Sequence, residues 1–200
     1  MEKLRFAVAY GADAVYLSGQ SFGMRAAAGN FDESELPQAV SYCHERGVRV
    51  FVTVNTMPRP GDLPDLPGHI AAIDRAGADA AIVADLGVCE LVRRIAPRLR
   101  IHVSTQASVV NEAAACAWHR LGASRIVLAR ELSIGEIAHI RAHTPPELEL
   151  EVFAHGSMCM AYSGRCVLSN YLTGRDANRG ACAQPCRWNY RLVEEKRPGE

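Results

Sequence analysis

The stretch Gly77-Ala78-Asp79-Ala80-Ala81-Ile82-Val83 decides the fold, because close copies of it recur along the chain. The copies are Gly11-Ala12-Asp13-Ala14-Val15-Tyr16-Leu17, Gly122-Ala123-Ser124-Arg125-Ile126-Val127-Leu128 and, more loosely, Gly47-Val48-Arg49-Val50-Phe51-Val52-Thr53. Glycine adopts the left-handed conformation without steric cost, so it commonly ends a helix. The Val-, Ile- and Leu-rich run after each glycine is typical of a strand buried on both faces of a parallel sheet. Each copy therefore predicts a helix end followed by a parallel strand.

Six strands are predicted from such runs. They cover residues 13–18, 49–55, 79–84, 100–105, 125–129 and 149–154. The stretches between them have the apolar spacing of amphipathic helices, with Asp32 and Asn111 as N-caps and Ser133 with Glu136 as a capping box. Alternating strands and helices indicate parallel strands joined by right-handed crossovers.

Six such units, with no glycine-rich nucleotide-binding motif after the first strand, favour a TIM-like (βα) barrel over a Rossmann sheet. A complete barrel needs eight strands and about 250 residues, whereas the chain has 200. We therefore predict the α/β class, with an incomplete TIM-like barrel over residues 1–156 and a Cys-rich segment over residues 157–200. This pattern also predicts that the chain is a fragment of a longer protein. A complete open α/β sheet is the alternative.

The composition limits the class of protein. Hydrophobic residues make up 48% of the chain, which excludes a disordered protein. Lys+Arg and Asp+Glu both number 22, so net charge gives no general attraction to nucleic acid. No stretch approaches the roughly 20 apolar residues of a membrane helix, and the N-terminus lacks the apolar core of a secretory signal. We therefore expect a soluble, cytoplasmic protein with no membrane partner.

Four of the seven cysteines crowd together near the C-terminus, with the spacing Cys159-x6-Cys166-x15-Cys182-x3-Cys186 in a glycine-rich context. Four thiolates on loops suit either a structural zinc ion or an iron–sulfur cluster. Zinc ribbons usually separate paired ligands by two to four residues, so the longer first spacing favours iron–sulfur. Reduced cysteines packed as small apolar side chains are the alternative. That packing is the prediction for the other three cysteines, which fall at core-facing helical positions: Cys43, Cys89 and Cys116.

Polar residues follow the predicted strands at the end where barrel enzymes place their active sites. They are Ser18, Asn55, Asp85, Ser104 to Gln106, Arg130, Glu131 and His155. We expect Asp85 and Glu131 to cap helices. Arg130 follows an apolar strand and is expected to enter the site or pair with a carboxylate, because its guanidinium suits bidentate binding of carboxylate or phosphate. His155 is expected between the barrel mouth and the metal, and His102, in mid-strand, is expected to be a structural histidine with its hydrogen bonds satisfied.

The C-terminal segment interleaves arginines with aromatic residues. They are Arg165, Arg175, Arg179, Arg187 and Arg191, and Tyr162, Tyr171, Trp188 and Tyr190. Arginines neutralise phosphates and aromatic rings stack on unpaired bases, so the pattern is compatible with RNA binding. A solvated basic surface over packed aromatic rings is the simpler reading. The chain contains no HExxH or P-loop motif, so it has no recognisable zinc-hydrolase or P-loop site.

Several stretches resemble the signature of the U32 peptidase family. They are Glu151-Val152-Phe153-Ala154-His155-Gly156-Ser157-Met158-Cys159, then Tyr162-Ser163-Gly164-Arg165-Cys166-Val167-Leu168-Ser169, then Arg175-Asp176-Ala177-Asn178-Arg179-Gly180-Ala181-Cys182, and Cys186-Arg187-Trp188. Upstream, Tyr10-Gly11-Ala12-Asp13-Ala14-Val15-Tyr16 and Ser104-Thr105-Gln106-Ala107 are also similar to the family. The resemblance extends over essentially the whole chain.

This resemblance implies a TIM-like barrel whose first strand precedes this chain and whose sequence continues beyond Glu200. The family is named for a collagenase-like peptidase activity. Other members are oxygen-independent hydroxylases of the tRNA wobble uridine, of ribosomal RNA or in ubiquinone synthesis. Prephenate is the oxygen source for some of them, and the quinone branch holds a 4Fe–4S cluster through four cysteines. By resemblance, Cys159, Cys166 and Cys182 match cluster positions, and the fourth ligand is Cys186 or lies downstream of residue 200.

Residues 169–188 are most similar to the tRNA branch, which implies our main hypothesis: an iron–sulfur enzyme that hydroxylates the wobble uridine of tRNA with prephenate. Arg25 and Arg130 are then expected to bind the prephenate carboxylates, and Arg165 and Arg187 to bind RNA. The catalytic residues stay open among His155, Arg130, Asn55 and Gln106. A related U32 subunit is considered as a partner. The alternatives are a collagenase-like peptidase and an RNA-binding module with a structural zinc ion.

Overall fold

The structure is a computed structural model that describes residues 1–24, 29–32, 34–156, 158–191, 193 and 196. Its strands are β1 (Ala14–Ser18), β2 (Arg49–Val54), β3 (Ala80–Val83), β4 (Arg100–Val103), β5 (Ala123–Val127) and β6 (Glu149–Glu151). Its α-helices are α1 (Glu2–Ala9), α2 (Glu35–His44), α3 (Leu66–Arg75), α4 (Leu86–Ile95), α5 (Glu112–Arg120), α6 (Ile134–Ala142) and α7 (Leu168–Thr173). The predicted Arg25 lies outside the described residues.

The strands form one parallel sheet in the order β1-β2-β3-β4-β5-β6. All six predicted strands are confirmed, although most are shorter than predicted. The largest difference is at β6, which ends at Glu151 because it pairs only with β5 and the residues after it are exposed. The glycine signal is also confirmed, since the residues that precede the strands have positive φ angles: Gly11 (87°), Gly47 (71°), Gly77 (79°) and Gly122 (100°).

The main core lies between the convex face of the sheet and the helices. Side chains on a strand alternate between the two faces, so Val50 and Val52 point to the helices, whereas Phe51 points to the concave side. Ile70 and Ile73 of α3 and Val92 of α4 are fully buried in this main core. Cys43 and Cys89 are buried in it as predicted, and Cys116 is half-buried.

The concave side shows that the sheet is curled. The hydroxyl of Tyr16 on β1 donates a hydrogen bond to the carboxylate of Glu151 on β6, so the first and last strands meet across the concavity. Arg125 on β5 pairs with Glu149 (Nε to Oε2, 2.7 Å) and with Glu151 (Nη1 to Oε2, 2.9 Å). A parallel sheet with helices on its convex face, curled in this way, is an incomplete TIM-like barrel, as predicted.

These contacts change the acid–base behaviour of the concave side. Partial burial acts to raise the pKa of Glu149, but hydrogen bonds and charge attraction from Arg100 and Arg125 outweigh it and lower that pKa to about 2. Burial, together with the hydrogen bond to Glu151, raises the pKa of Tyr16. The concave side therefore holds a fixed ion-pair network at neutral pH, with Tyr16 in its neutral form.

His102 corrects one expectation. It is fully buried on the concave side with its ring centroid 4.5 Å from that of Phe51, and neither ring nitrogen has a hydrogen-bond partner among the described residues. The sequence shows that a histidine lies within an apolar strand, but not that Phe51, rather than a polar group, faces it. Burial lowers the pKa of His102 to about 3, with further lowering by the charges of Arg125 and Arg100.

Candidate functional site

Three of the polar residues predicted at the strand ends form one hydrogen-bonded group. Asn55, directly after β2, donates from Nδ2 to Ser104 Oγ (3.1 Å), directly after β4. Ser104 Oγ also accepts from the backbone N–H of Gln106 (3.2 Å), and Asn55 Oδ1 accepts from the N–H of Met24 (3.3 Å). Asn55 and Ser104 are buried. Asn55 therefore ties the ends of the strands together, and both polar atoms of its side chain are used in doing so.

The Cys-rich segment packs onto this end of the half-barrel. Gly164 lies so close to the loop after β4 that a Cβ atom at this position would overlap the backbone carbonyl of Gln106. Its φ angle of 71° is also one that favours glycine. In the same contact, the hydroxyl of Ser108 donates to the backbone carbonyl of Ser163. The loop between Cys159 and Cys166 is therefore in direct contact with the strand ends.

Ser163 is the centre of this contact. It is fully buried, and its hydroxyl accepts a hydrogen bond from Arg130 Nε (3.1 Å) and donates one to Glu131 Oε1 (3.1 Å). Its backbone N–H donates to the same carboxylate oxygen (2.9 Å). Thr105 Oγ1 lies 3.5 Å from the hydroxyl. Arg130 is half-buried, and the predicted anion ligand thus lies directly under the cysteine-bearing loop.

Of the two residues expected to cap helices, one does so. Asp85 Oδ1 accepts from the N–H of Val88 at the start of α4 (3.0 Å). Glu131 is wrong as a cap, because Ser133 caps α6 in a capping box with Glu136, and Glu131 binds Ser163 instead. Sequence reasoning missed Ser163 altogether. The available signal was the Ser163-Gly164 pair, a small polar residue beside a glycine within the family motif.

A second contact fastens the other part of the Cys-rich segment to the loop after β2. Arg179 pairs with the carboxylate of Asp62 (Nη2 to Oδ1, 3.1 Å), and Asp176 pairs with Arg59 (Oδ2 to Nη2, 3.0 Å). The N–H of Met57 donates to the carbonyl of Asn178 (3.0 Å). The hydrogen bond from Arg179 lowers the pKa of Asp62. The segment therefore spans the mouth of the half-barrel from the β2 side to the β5 side.

The four cysteines of the segment are free thiols. Cys159, Cys182 and Cys186 are exposed and Cys166 is half-buried. Cys182 Sγ accepts from the N–H of Gln184 (3.3 Å). Four accessible thiols on loops are the right donors for a zinc ion or an iron–sulfur cluster. Within the described residues, however, no three or more His, Cys, Asp or Glu side chains are grouped so as to hold a metal ion, so the geometry of such a centre is not present.

The other predicted site residues lie outside the Ser163 contact. His155 is exposed after β6, and its side chain forms no hydrogen bond with the described residues. Arg165 is exposed. Arg187 Nη2 donates to the carbonyl of Met158 (3.0 Å), which ties the region of Cys186 to that of Cys159. None of these three reaches the strand ends by a hydrogen bond or ion pair in the part of the chain that the structure describes.

Comparison with known proteins identifies the family. The sequence profile described as peptidase family U32 matches residues 1–200. The chain belongs to this family. A solved U32 structure, "The Structure of the U32 Peptidase Mk0906", superposes with a TM-score of 0.59 at 23% identity, covering 71% of this chain and 60% of that one. This likeness supports the U32 fold and says nothing further about activity.

Two U32 relatives are similar over nearly the whole chain. "tRNA hydroxylation protein P1" of Bacillus subtilis (strain 168) is 43% identical over 194 residues, which is 97% of this chain and 46% of the relative. "tRNA hydroxylation protein P" of Escherichia coli (strain K12) is 40% identical over 196 residues, 98% of this chain and 43% of the relative. This U32 chain therefore spans about half the length of these relatives. None of its described helices has the length and apolar character needed to cross a membrane.

Proposed function

We propose that this chain provides the barrel mouth and the cysteine segment of a U32 enzyme that hydroxylates the wobble uridine of tRNA, without O2 and with prephenate as the oxygen source. The observation that carries the proposal is the seating of the Cys159–Cys166 loop on the strand ends through Ser163, directly over Arg130. The names of the two U32 relatives, both tRNA hydroxylation proteins, favour tRNA among the substrates of the family. A tRNA substrate also implies that the enzyme acts in the cytoplasm.

Arg130 is the proposed ligand of prephenate. Its Nε is held by Ser163, and its two Nη groups form no hydrogen bond with any described residue. A guanidinium fixed at one edge presents its remaining N–H groups in the fork that matches a carboxylate. Prephenate carries two carboxylates, and Arg25 is proposed for the second. Both polar atoms of the Asn55 side chain are already hydrogen-bonded, to Ser104 and to Met24, which suits positioning rather than proton transfer. Gln106 is held beside them through its backbone N–H.

The proposed RNA surface is the exposed side of the Cys-rich segment. Tyr171 is 84% exposed and Tyr190 is 65% exposed, so their rings are available to stack on unpaired bases. Arg165 and Arg187 are exposed in the same segment and would contact phosphates. Such a surface reads a single-stranded loop, which is the part of tRNA that contains the wobble base.

The proposed cofactor is a 4Fe–4S cluster bound by Cys159, Cys166, Cys182 and a fourth ligand that is either Cys186 or lies beyond residue 200. When bound, the cluster would supply one-electron transfer. Its assembly requires the sulfur atoms to come closer together than they lie among the described residues. The tie between Arg187 and Met158 already joins two of these loops.

Anaerobic purification of the full-length protein tests the cofactor. We expect about four irons and four sulfides per chain, lost in Cys159→Ser. Cys116→Ser is the matched control, since Cys116 lies on α5 in the barrel, and it should keep the iron. Stoichiometric zinc without iron would instead support the RNA-binding module.

The reaction is tested by mass spectrometry of tRNA nucleosides from a deletion strain carrying each variant. Hydroxylated uridine should disappear in the deletion strain and return with the wild-type and Cys116→Ser proteins. If tRNA is unchanged while the purified protein cleaves a collagen-like peptide, the peptidase alternative is correct. Co-purification of a second U32 chain tests the proposed partner.

A further inference from the structure

Ser163 separates two opposite charges that are neighbours in the sequence. Arg130 donates to the serine hydroxyl through Nε, and Glu131 accepts from the same hydroxyl and from the backbone N–H of Ser163. Arg130 and Glu131 form no ion pair with each other, although both lie within the described residues. Arg130 Nε and Glu131 Oε1 each lie 3.1 Å from the same serine oxygen, so the guanidinium and the carboxylate are close enough to pair directly if the hydroxyl were absent. The serine hydroxyl therefore binds both groups in place of a direct ion pair between Arg130 and Glu131.

The hydroxyl of Ser163 both donates and accepts a hydrogen bond. A serine hydroxyl has one proton to donate and two lone pairs to accept. The proton goes to Glu131, one lone pair receives Arg130 Nε–H, and Thr105 Oγ1 lies at 3.5 Å from the oxygen. Ser163 is also fully buried. Its backbone carbonyl also accepts from Ser108, so Ser163 is held through both its side chain and its backbone.

We propose that Ser163 is a positioning residue that keeps Arg130 from pairing with Glu131, so that both Nη groups of Arg130 face an anionic substrate. The identity of that substrate as a carboxylate rests on the proposed function. Since Ser163 belongs to the loop between Cys159 and Cys166, the anion site is complete only while this loop is seated on the strand ends. When the loop leaves, Arg130 and Glu131 neutralise each other.

The reactivity of Arg130 toward phenylglyoxal tests this in the full-length protein. Phenylglyoxal modifies guanidinium groups that are not engaged by carboxylates, and the rate at Arg130 is read by peptide mass spectrometry. Ser163→Ala should slow modification of Arg130 about fivefold, the factor expected for a newly formed surface ion pair. Adding Glu131→Gln to Ser163→Ala should restore the wild-type rate, because the competing charge is gone. Tyr162→Phe is the matched control, since its exposed ring lies in the same loop and its hydroxyl forms no hydrogen bond with Arg130 or Glu131, and it should leave the rate unchanged.

The double variant distinguishes positioning from general structural damage. If Ser163→Ala leaves the rate unchanged or raises it, or if Glu131→Gln fails to restore it, the proposal is wrong. A separate arm adds prephenate to the wild-type protein, which should protect Arg130 from modification. Absence of protection would remove prephenate as the ligand, while the variant rates would still decide the role of Ser163.

Discussion

Replacing His102 with leucine should remove a large part of the pH dependence of stability. His102 is fully buried against Phe51 with both nitrogens unpaired among the described residues, and its pKa is lowered from 6.5 to about 3. In the unfolded chain the ring takes up a proton near its ordinary pKa, whereas in the folded protein it stays neutral. The unfolded state therefore binds more protons below pH 6.5, and the folded state loses stability as the pH falls toward 3.

The size of the effect follows from the two pKa values. Each pH unit between them costs about 1.4 kcal/mol. Lowering the pH from 7.5 to 5 should therefore reduce the free energy of unfolding by about 2 kcal/mol through His102 alone. Above pH 6.5 the contribution of the group is constant. Leucine is close in volume to histidine and has no polar atoms, so His102→Leu should also be neutral or stabilising at pH 7.5.

Urea unfolding of the full-length protein at pH 7.5 and pH 5 measures this difference. The wild-type protein and the control His155→Gln, which removes an exposed histidine, should show the same loss of stability on acidification. His102→Leu should lose about 2 kcal/mol less than either. If His102→Leu retains the wild-type pH dependence, the buried ring is already protonated or hydrated and the reasoning fails.

Three further predictions concern the seating of the Cys-rich segment and the core. Gly164→Ala should release the segment and expose residues 158–191 to protease, whereas Gly174→Ala, with a similar φ of 69° and open space for a Cβ, should not; equal cleavage would contradict the close approach to Gln106. Arg179→Gln should speed amide exchange at Met57, whose N–H binds Asn178, while the exposed Arg165→Gln leaves it unchanged; identical exchange in both would mean that the ion pair to Asp62 does not hold the segment. Ile73→Ala should lower the free energy of unfolding in urea by about 2–5 kcal/mol. Ile134→Ala, at a side chain 86% exposed, should lower it by less than about 1 kcal/mol. Similar losses in the two variants would refute the assignment of the core.

The sheet was predictable because its signals are local. A glycine followed by an apolar run indicates a helix end and a buried strand without reference to the rest of the chain, as at Gly77 and β3. The hydrogen-bonded role of Ser163 was not predictable in the same way. Its partners Arg130 and Glu131 come from a loop more than thirty residues earlier, a separation of 33 for Arg130, and only the fold brings them together.

The surroundings of the cysteines and of His102 were also not predictable from the sequence. The spacing from Cys159 to Cys186 indicates which chemistry the thiols suit, but convergence of the sulfurs depends on loop conformations that spacing does not determine. His102 reads as an ordinary polar residue in a strand, and whether it finds a partner depends on the neighbouring strand, which presents Phe51. In both cases the residue type indicated the chemistry that the side chain suits, but the sequence did not determine which groups surround it.

The strictly sequential strand order has a consequence for how the protein is made. Each strand pairs with the next one along the chain, so each βα unit can join the preceding one as it leaves the ribosome. The surface that contacts the loop between Cys159 and Cys166 contains residues that follow both β4 and β5. This surface is therefore complete only when most of the sheet has formed. Binding of the proposed metal centre would therefore come after the body of the enzyme has folded.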